Sequence, residues 1–290
     1  VLLREIKNIF HTELNAVYGT EEVSSFFYLL IEHYFDLERF VLAMQPELNI
    51  DKDQETIIFK ALSELKLEKP IQHIIGTAYF MDMDFKVNEH VLIPRPETEE
   101  LVRWILDDHD NDHALRVLDM GTGSGCIPIS LDKNLNNAKV FGLDISTEAL
   151  QVARQNNESL HTSVTFFQAD ILSINNSTKN EVSELNQKFD IIVSNPPYVR
   201  ELEKVEMRKN VLDHEPNLAL FVADDNPLQF YDKIVEYASN RLEHNGCLYL
   251  EINQYLGAEM QKLLHKFGFE TVILKKDMFG NDRMLKGVKK

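Results

Sequence analysis

The chain has 290 residues, 44% hydrophobic and 27% charged, enough for a large core and two domains, and its formal net charge is −17 at neutral pH. A carboxylate surplus of that size, with no Lys/Arg cluster to offset it locally, excludes a protein whose affinity comes from duplex phosphates, so no stable nucleic-acid binding is expected. No apolar run is long enough to cross a bilayer, the amino terminus lacks a signal peptide's apolar core, and Cys126 and Cys247 lie far apart inside apolar segments, which together predict a cytoplasmic protein with reduced thiols and no membrane association.

Residues 1–75 read as a small helical domain. Ile6, Ile9, Phe10, Leu14 and Val17 recur at three- and four-residue steps until Gly19. Thr20 is placed to cap a second helix carrying Phe26, Phe27, Leu30 and Ile31, and Asp51 with Gln54 has the pattern of a capping box for the run Ile57 to Leu67, which Pro70 stops. The region carries thirteen acidic against seven basic side chains and no catalytic constellation. It is either a structural cap or, as the favoured expectation, a module that docks a partner.

From Tyr79 to Val87 the pattern alternates strictly, with Met81, Met83, Phe85 and Val87 apolar and Asp82, Asp84 and Lys86 between them. That is a strand or hairpin, and residues 76–91 read as an ordered connector to a catalytic domain over 92–290. In Leu92-Ile93-Pro94-Arg95-Pro96-Glu97-Thr98-Glu99 two prolines impose an extended segment, after which Glu97 or Thr98 opens a helix through Leu101, Val102, Ile105 and Leu106. Arg95 is then either a surface partner of a carboxylate or a residue at the mouth of a site. Asp107 to His113 offers two histidines four apart, but no frame to orient them, so it reads as a solvated loop and no metal site is expected.

Leu115–Met120 is a short apolar strand running straight into Gly121-Thr122-Gly123-Ser124-Gly125 and then a helix from Ile127 to Leu131. Glycines there permit a tight turn and a ligand's approach to main-chain N–H groups at a helix start. The dinucleotide pattern Gly-x-Gly-x-x-Gly fits neither register, because its third position falls on Cys126 or Pro128. A second strand, Lys139–Leu143, ends in Asp144, where an α/β nucleoside site places the carboxylate that accepts ribose hydroxyls. A helix from Thr147 to Asn156 and a third strand, Val164–Phe167, lead to Asp170, another carboxylate at a strand end and one able to accept an exocyclic amine. Each acid alone is a common cap or turn residue; three acidic or glycine signals at three successive strand ends point to a ligand.

Residues 173–187 form a polar stretch read as a flexible loop before the buried parallel strand Phe189–Val193. That strand stops at Ser194-Asn195-Pro196-Pro197-Tyr198. Asn195 offers an amide acceptor, Pro196 a carbonyl with no competing N–H nearby, and Tyr198 an aromatic face, a set suited to a planar NH2 group. A proline-stiffened turn with a capping Asn is the plainer alternative. Val199 to Leu220 is charge-rich and irregular, suiting the edge of a site. A helix over Leu228–Leu242, a strand Cys247–Ile252, a helix Gly257–Phe267 and strands at Thr271–Leu274 and Arg283–Val288 follow, the last two expected to pair as a hairpin across Phe279-Gly280-Asn281-Asp282.

With these motifs the chain resembles the Rossmann-like S-adenosylmethionine methyltransferases, and among them the glutamine-N5 methyltransferases of peptide chain release factors. The loop Gly121–Gly125 and Asp144 look like the superfamily's cofactor motifs, and Asn195-Pro196-Pro197-Tyr198 is similar to the tetrad of its amino-group methyltransferases. Leu92 to Glu99, Glu215-Pro216-Asn217-Leu218-Ala219-Leu220 and the helical amino-terminal domain resemble the release-factor subfamily. The resemblance implies an α/β fold, with a mostly parallel sheet and a carboxy-terminal antiparallel hairpin behind a helical bundle. It implies S-adenosylmethionine as cofactor, held by Gly121, Thr122, Gly123, Ser124, Gly125, Asp144, Asp170, Ile171 and Asn195. The implied acceptor is the glutamine of a Gly-Gly-Gln loop in a release factor, bound by Arg95 and Asn195 to Tyr198, with Asn195, Pro196 and Tyr198 catalytic. At Ile171 some relatives carry an aromatic residue beside the adenine. The rival enzyme reading is an exocyclic-amine methyltransferase of DNA or RNA, which the net charge disfavours; a non-catalytic binding module would bind cofactor without turnover.

Overall fold

The structure is a computed structural model describing residues 1–109, 114–174 and 182–290. Contacts divide these residues into two units, Val1–Gly76 with Arg208–His214, and Thr77–Met207 with Glu215–Lys290.

In the first unit the three-to-four periodicity becomes the helices α1 (Leu3–Tyr18), α2 (Thr20–Phe35) and α3 (Lys52–Lys66). Leu3, Ile6, Phe10 and Leu14 form one buried stripe that shares a core with Phe27, Leu30 and Ile31 of α2 and Ile58, Leu62 and Leu65 of α3. The Asp51 carboxylate accepts the Gln54 N–H at 2.8 Å while the Gln54 side chain accepts the Asp51 N–H at 3.1 Å, so the capping box forms as expected. Thr20 does not cap α2. Gly19, at φ 80°, ends α1 and precedes α2 directly, leaving Thr20 as the first helical residue.

The second unit is built on a seven-stranded sheet. Its strands are β3 (Leu115–Met120), β4 (Ala138–Asp144), β5 (Thr165–Gln168), β6 (Phe189–Ser194), β7 (Leu242–Glu251), β8 (Phe269–Lys276) and β9 (Asp282–Lys289), which follow β1 (Thr77–Phe80) and β2 (Met83–Lys86) in the chain. Across the sheet the order is β8-β9-β7-β6-β3-β4-β5, parallel from β7 to β5, with β9 antiparallel to both β7 and β8. This is the expected α/β architecture with its carboxy-terminal hairpin.

The interior strands bury both faces, which explains their unbroken apolar runs. Leu118 and Ile192 point into one core with Ile234, Val235 and Leu264, from α7 (Gln229–Arg241) and α8 (Gly257–Lys266). Val117, Ile191 and Val193 point into the other with Leu101 and Ile105 of α4 (Pro96–Asp108) and Ile129 of α5 (Cys126–Asn134). Each such fully buried aliphatic side chain contributes about 1.5–3 kcal/mol over its exposed state.

In four stretches the structure adds to or alters the sequence reading. β1 and β2 form a hairpin through Met81 and Asp82, both at positive φ, and Phe80 and Phe85 lie in the core shared with α4, so the 76–91 stretch is largely built into the second unit. Buried Asn156, on α6 (Thr147–Ser159), accepts the Lys86 N–H and donates to the carbonyls of Lys86 and Ser124, tying the hairpin to the glycine loop. Helix α4 starts at Pro96 and runs to Asp108, whose carboxylate accepts the Tyr249 hydroxyl at 2.8 Å and the Lys286 ammonium at 2.9 Å, so Asp107 and Asp108 are helical; residues 110–113 of the expected loop lie outside the described residues. In the 173–187 stretch, Ile174 and Leu185 are buried, and 175–181 lie outside the described residues. The irregular 199–220 segment is ordered by pairing of Val199–Arg200 with Phe221–Val222 and by a buried Glu203 bound to Arg200.

Candidate active site

Strand β3 has β4 on one side and β6 on the other, so chain direction across the sheet reverses beside β3, the position at which open α/β sheets bind ligands. Leu118 pairs with Ile192 and Asp119 with Val193, bringing the two carboxyl ends level, and the Ser194 hydroxyl donates to the Met120 carbonyl. The glycine loop and the Asn195 tetrad are thereby set side by side. Within this unit a cavity of about 290 Å³ opens there.

Of the expected cofactor residues, Gly121, Thr122, Gly123, Ser124, Asp144, Asp170, Ile171 and Asn195 line the cavity. Gly125 does not. It starts α5 at φ 80°, and a Cβ there would come within 3.0–3.3 Å of Ile129, Ala153 and Phe166, so this glycine serves close packing beneath the loop. The loop's N–H groups are also used differently from expectation. Gly121 and Thr122 donate to the Leu143 carbonyl, Gly125 to the Thr122 carbonyl, and Gly123 to the Asp144 carboxylate at 2.8 Å. The loop is therefore shaped for close approach, while most of its donors are already bound. A phosphate nest is not what these residues build.

Asp144 ends β4 and also accepts the Ser146 N–H at 3.0 Å. Burial pushes its carboxyl up, and the N–H groups of Ser146, Gly123 and Ile145 pull it back. Its remaining lone pairs can accept from a diol. Asp170 accepts the Leu172 N–H and the Ser173 hydroxyl, so it caps a turn as well as lining the cavity. Ile171 is buried, with its Cδ1 3.7 Å from where a Cβ on Gly121 would lie, and forms an aliphatic wall.

The tetrad separates into two parts. Asn195 and Pro197 line the cavity, whereas Pro196 and Tyr198 do not. The Asn195 Nδ2 donates to the Thr98 hydroxyl at 3.2 Å, and no described donor takes its Oδ1. The Tyr198 ring is half-buried against the core, and its hydroxyl donates to Glu251 Oε1 at 2.9 Å and receives an Arg283 N–H at 3.3 Å. Arg95 lines the cavity and pairs with Glu215, whose other oxygen accepts the Ile93 N–H at 3.1 Å.

Three buried polar groups of this arrangement were given no role from sequence. Thr98 and Glu251 are 2% and 1% exposed and joined by a 2.7 Å hydrogen bond, and Glu215 is buried behind Arg95. Burial pushes the Glu251 carboxyl up, while the Thr98 and Tyr198 hydroxyls and the Arg283 charge oppose the shift. The available signal was a carboxylate closing an apolar strand at Glu251, the pattern already used for Asp144. Asp119, Thr122 and Ser124 add buried side-chain oxygens with no well-formed partner; the Thr122 hydroxyl lies close enough to favour an ionised Asp119, yet burial dominates and pushes that carboxyl up to about 7. Among the described residues no group of three or more His, Cys, Asp or Glu could hold a metal, and no helix is long and apolar enough to cross a membrane.

A methyltransferase-domain family model matches residues 111–274, and the PrmC N-terminal domain matches residues 12–76. The chain is 48% identical over 289 residues to a release factor glutamine methyltransferase of Flavobacterium psychrophilum, covering 99% of both chains. It is 45% identical to one of Bacteroides thetaiotaomicron, covering 94% of this chain and 95% of the relative, and 38% identical to one of Streptococcus pneumoniae, covering 98% and 97%. Among solved structures, a methyltransferase from Pyrococcus furiosus superposes with a TM-score of 0.50 at 18% identity, over 82% of this chain and 99% of that one. The 16S rRNA N2 G1207 methyltransferase of Thermus thermophilus, in complex with AdoMet and guanosine, superposes with a TM-score of 0.51 at 18% identity, over 74% and 50%; both likenesses are of fold. Identity of this order along nearly the whole chain, on a methyltransferase sheet with its loop and tetrad in place, makes this protein an enzyme belonging to the release factor glutamine methyltransferase family.

Proposed function

We propose that this enzyme transfers a methyl group from S-adenosylmethionine to the side-chain amide nitrogen of the glutamine in the Gly-Gly-Gln motif of peptide chain release factors. One observation carries the reading: Asn195 stands on the cavity wall with its NH2 held by Thr98 and its carbonyl oxygen unengaged, an acceptor for an amide N–H.

The cavity residues fit the cofactor. Gly121 and Gly123 keep the loop low, and a Cβ at Gly123 would meet nothing within 4 Å. Asp144 would accept the ribose hydroxyls, Asp170 and Ile171 would meet the adenine, and a loop with its N–H groups mostly bound suits a nucleoside without phosphates. When bound, the cofactor supplies an electrophilic sulfonium methyl group.

The protein's task is to make a poor nucleophile react. An amide nitrogen has its lone pair delocalised, so positioning it and favouring pyramidalisation lower the barrier. Asn195 Oδ1 and the Pro196 carbonyl would accept its two hydrogens and fix its direction. Pro197 on the wall would limit how the amide can turn, with Tyr198 behind it held by Glu251 and Arg283. Arg95, held by Glu215, would meet main-chain carbonyls of the acceptor loop. The helical unit would dock the release factor, a translation partner that would be met in the cytoplasm. Labelled methyl transfer to purified release factors, beside tRNA, rRNA and DNA, tests the proposal. Label on the glutamine is expected; transfer to nucleic acid with none to release factor would replace this reading with the exocyclic-amine alternative.

A further inference from the structure

Four polar side chains run from Arg283 through Tyr198 and Glu251 to Thr98, which lines the cavity, and Arg283 and Glu251 set the hydrogen-bond directions along them. Arg283 can only donate, and it donates to the Tyr198 hydroxyl at 3.3 Å. Glu251, faced by two hydroxyl donors, is the acceptor of the chain. Its two oxygens receive the Tyr198 hydroxyl at 2.9 Å and the Thr98 hydroxyl at 2.7 Å. Thr98 has a single hydroxyl hydrogen, and it is spent on Glu251. Toward Asn195 the Thr98 oxygen is therefore left as an acceptor, and it takes the Asn195 Nδ2 at 3.2 Å. An Asn amide is nearly symmetric in shape, so only such a partner decides which end faces the cavity. With Nδ2 tied back, Oδ1 faces outward.

Resting on the methyl-transfer reading above, we infer that Glu251 and Thr98 are positioning residues that hold the Asn195 side chain with its carbonyl oxygen toward the acceptor, making the site specific for a nitrogen that still carries hydrogens. The arrangement is anchored at both ends. Thr98 occupies the first turn of α4, which Pro96 starts, and Glu251 closes β7, beside β6 in the sheet. Arg283 is itself held by Asp277, whose side chain is buried and receives the N–H groups of Phe279 and Asn281. An Asn195 turned the other way would present NH2 to the acceptor's NH2, two donors facing each other, and the amide would have no partner on that side.

The decisive variants change direction without changing volume. Thr98→Val removes the acceptor; Glu251→Gln offers an N–H to Thr98, freeing the Thr98 hydroxyl to donate to Asn195 and reverse its amide. Both are expected to lower kcat on a release factor by about tenfold or more, with the calorimetric Kd for S-adenosylmethionine and the KM for release factor within about twofold of the parent. Thr98→Ser keeps the hydroxyl and is expected to recover most of the rate lost in Thr98→Val, a rescue that a purely structural role would not produce. Parental turnover in a folded Thr98→Val enzyme overturns the inference, as does a loss that Thr98→Ser fails to recover. Should Glu251→Gln not fold, the Val and Ser pair decides alone. Parental transfer to release factor abolished by Asn195→Ala but untouched by Thr98→Val sinks the positioning role while leaving the methyl-transfer reading standing; no transfer to release factor by the parent removes both.

Discussion

At the scale of single residues, the carboxylates divide by what surrounds them. Asp144 already accepts the main-chain N–H groups of Gly123 in the glycine loop and of Ser146, yet it lines the cavity with lone pairs to spare. Asp144→Ala is expected to weaken S-adenosylmethionine binding about ten- to hundredfold, the value of a charge-assisted hydrogen bond of about 1.5–3 kcal/mol. Calorimetric titration reads this directly, and an unchanged Kd in a folded variant would take Asp144 out of the site. Asp119 is fully buried, and its carboxyl is pushed up from 3.8 to about 7. In the folded protein it keeps a proton that the unfolded chain releases, so its contribution to stability is present at low pH and is lost as pH rises from about 4 to about 7. The full excursion corresponds to about 4 kcal/mol. Relative to Asp119→Asn, the parent should therefore lose ground across that window in urea unfolding measured at successive pH values; parallel curves would mean that Asp119 titrates normally.

At the scale of elements, the strand β4 and the glycine loop depend on missing side chains. A Cβ on Gly142, inside β4, would lie 2.7 Å from the Phe166 ring and 2.9 Å from the Thr122 hydroxyl, and the same ring fills the space beneath Gly125. Gly142→Ala is thus expected to destabilise by about 1–3 kcal/mol through overpacking and to weaken cofactor binding by moving Thr122. Denaturant midpoints with and without cofactor check both parts. An unshifted midpoint would show that Phe166 yields freely. The strands themselves were legible because an apolar run closed by Gly, Asp or Asn is a local pattern: β3, β4 and β6 end where Gly121, Asp144 and Asn195 imply. What was not legible depends on partners far along the chain. Helix α4 extends into Asp107 and Asp108 because Tyr249 and Lys286, 141 and 178 residues away, donate to the Asp108 carboxylate. Likewise nothing within reach of Thr98 announces that Glu251, 153 residues on, fixes its hydroxyl. Tyr198 was read as presenting an aromatic face at the strand's carboxyl end, whereas its hydroxyl is drawn inward by Glu251 and Arg283.

At the scale of the whole molecule, the proposed acceptor must be recognised by more than the amide it offers. One glutamine side chain supplies too little binding energy to offset the translational and rotational freedom lost on association, so remote contacts must position it. The net charge of −17 says what kind of contacts these are. A protein so acidic attracts a basic surface over a distance of about a Debye length and repels an acidic one, which raises the encounter rate with a partner whose docking face is positive. A short Gly-Gly-Gln peptide has no such face. Two outcomes are expected of the full-length enzyme assayed on both acceptors. The kcat/KM for a folded release factor should exceed that for the peptide by about a hundredfold or more, and raising salt from about 0.05 to 0.5 M should lower the former severalfold, mainly through KM, while leaving the latter nearly level. Equal salt responses would mean that docking is not electrostatic and that the acidic surface serves solubility alone. Peptide turnover matching that of the folded factor would place all recognition in the Asn195 pocket.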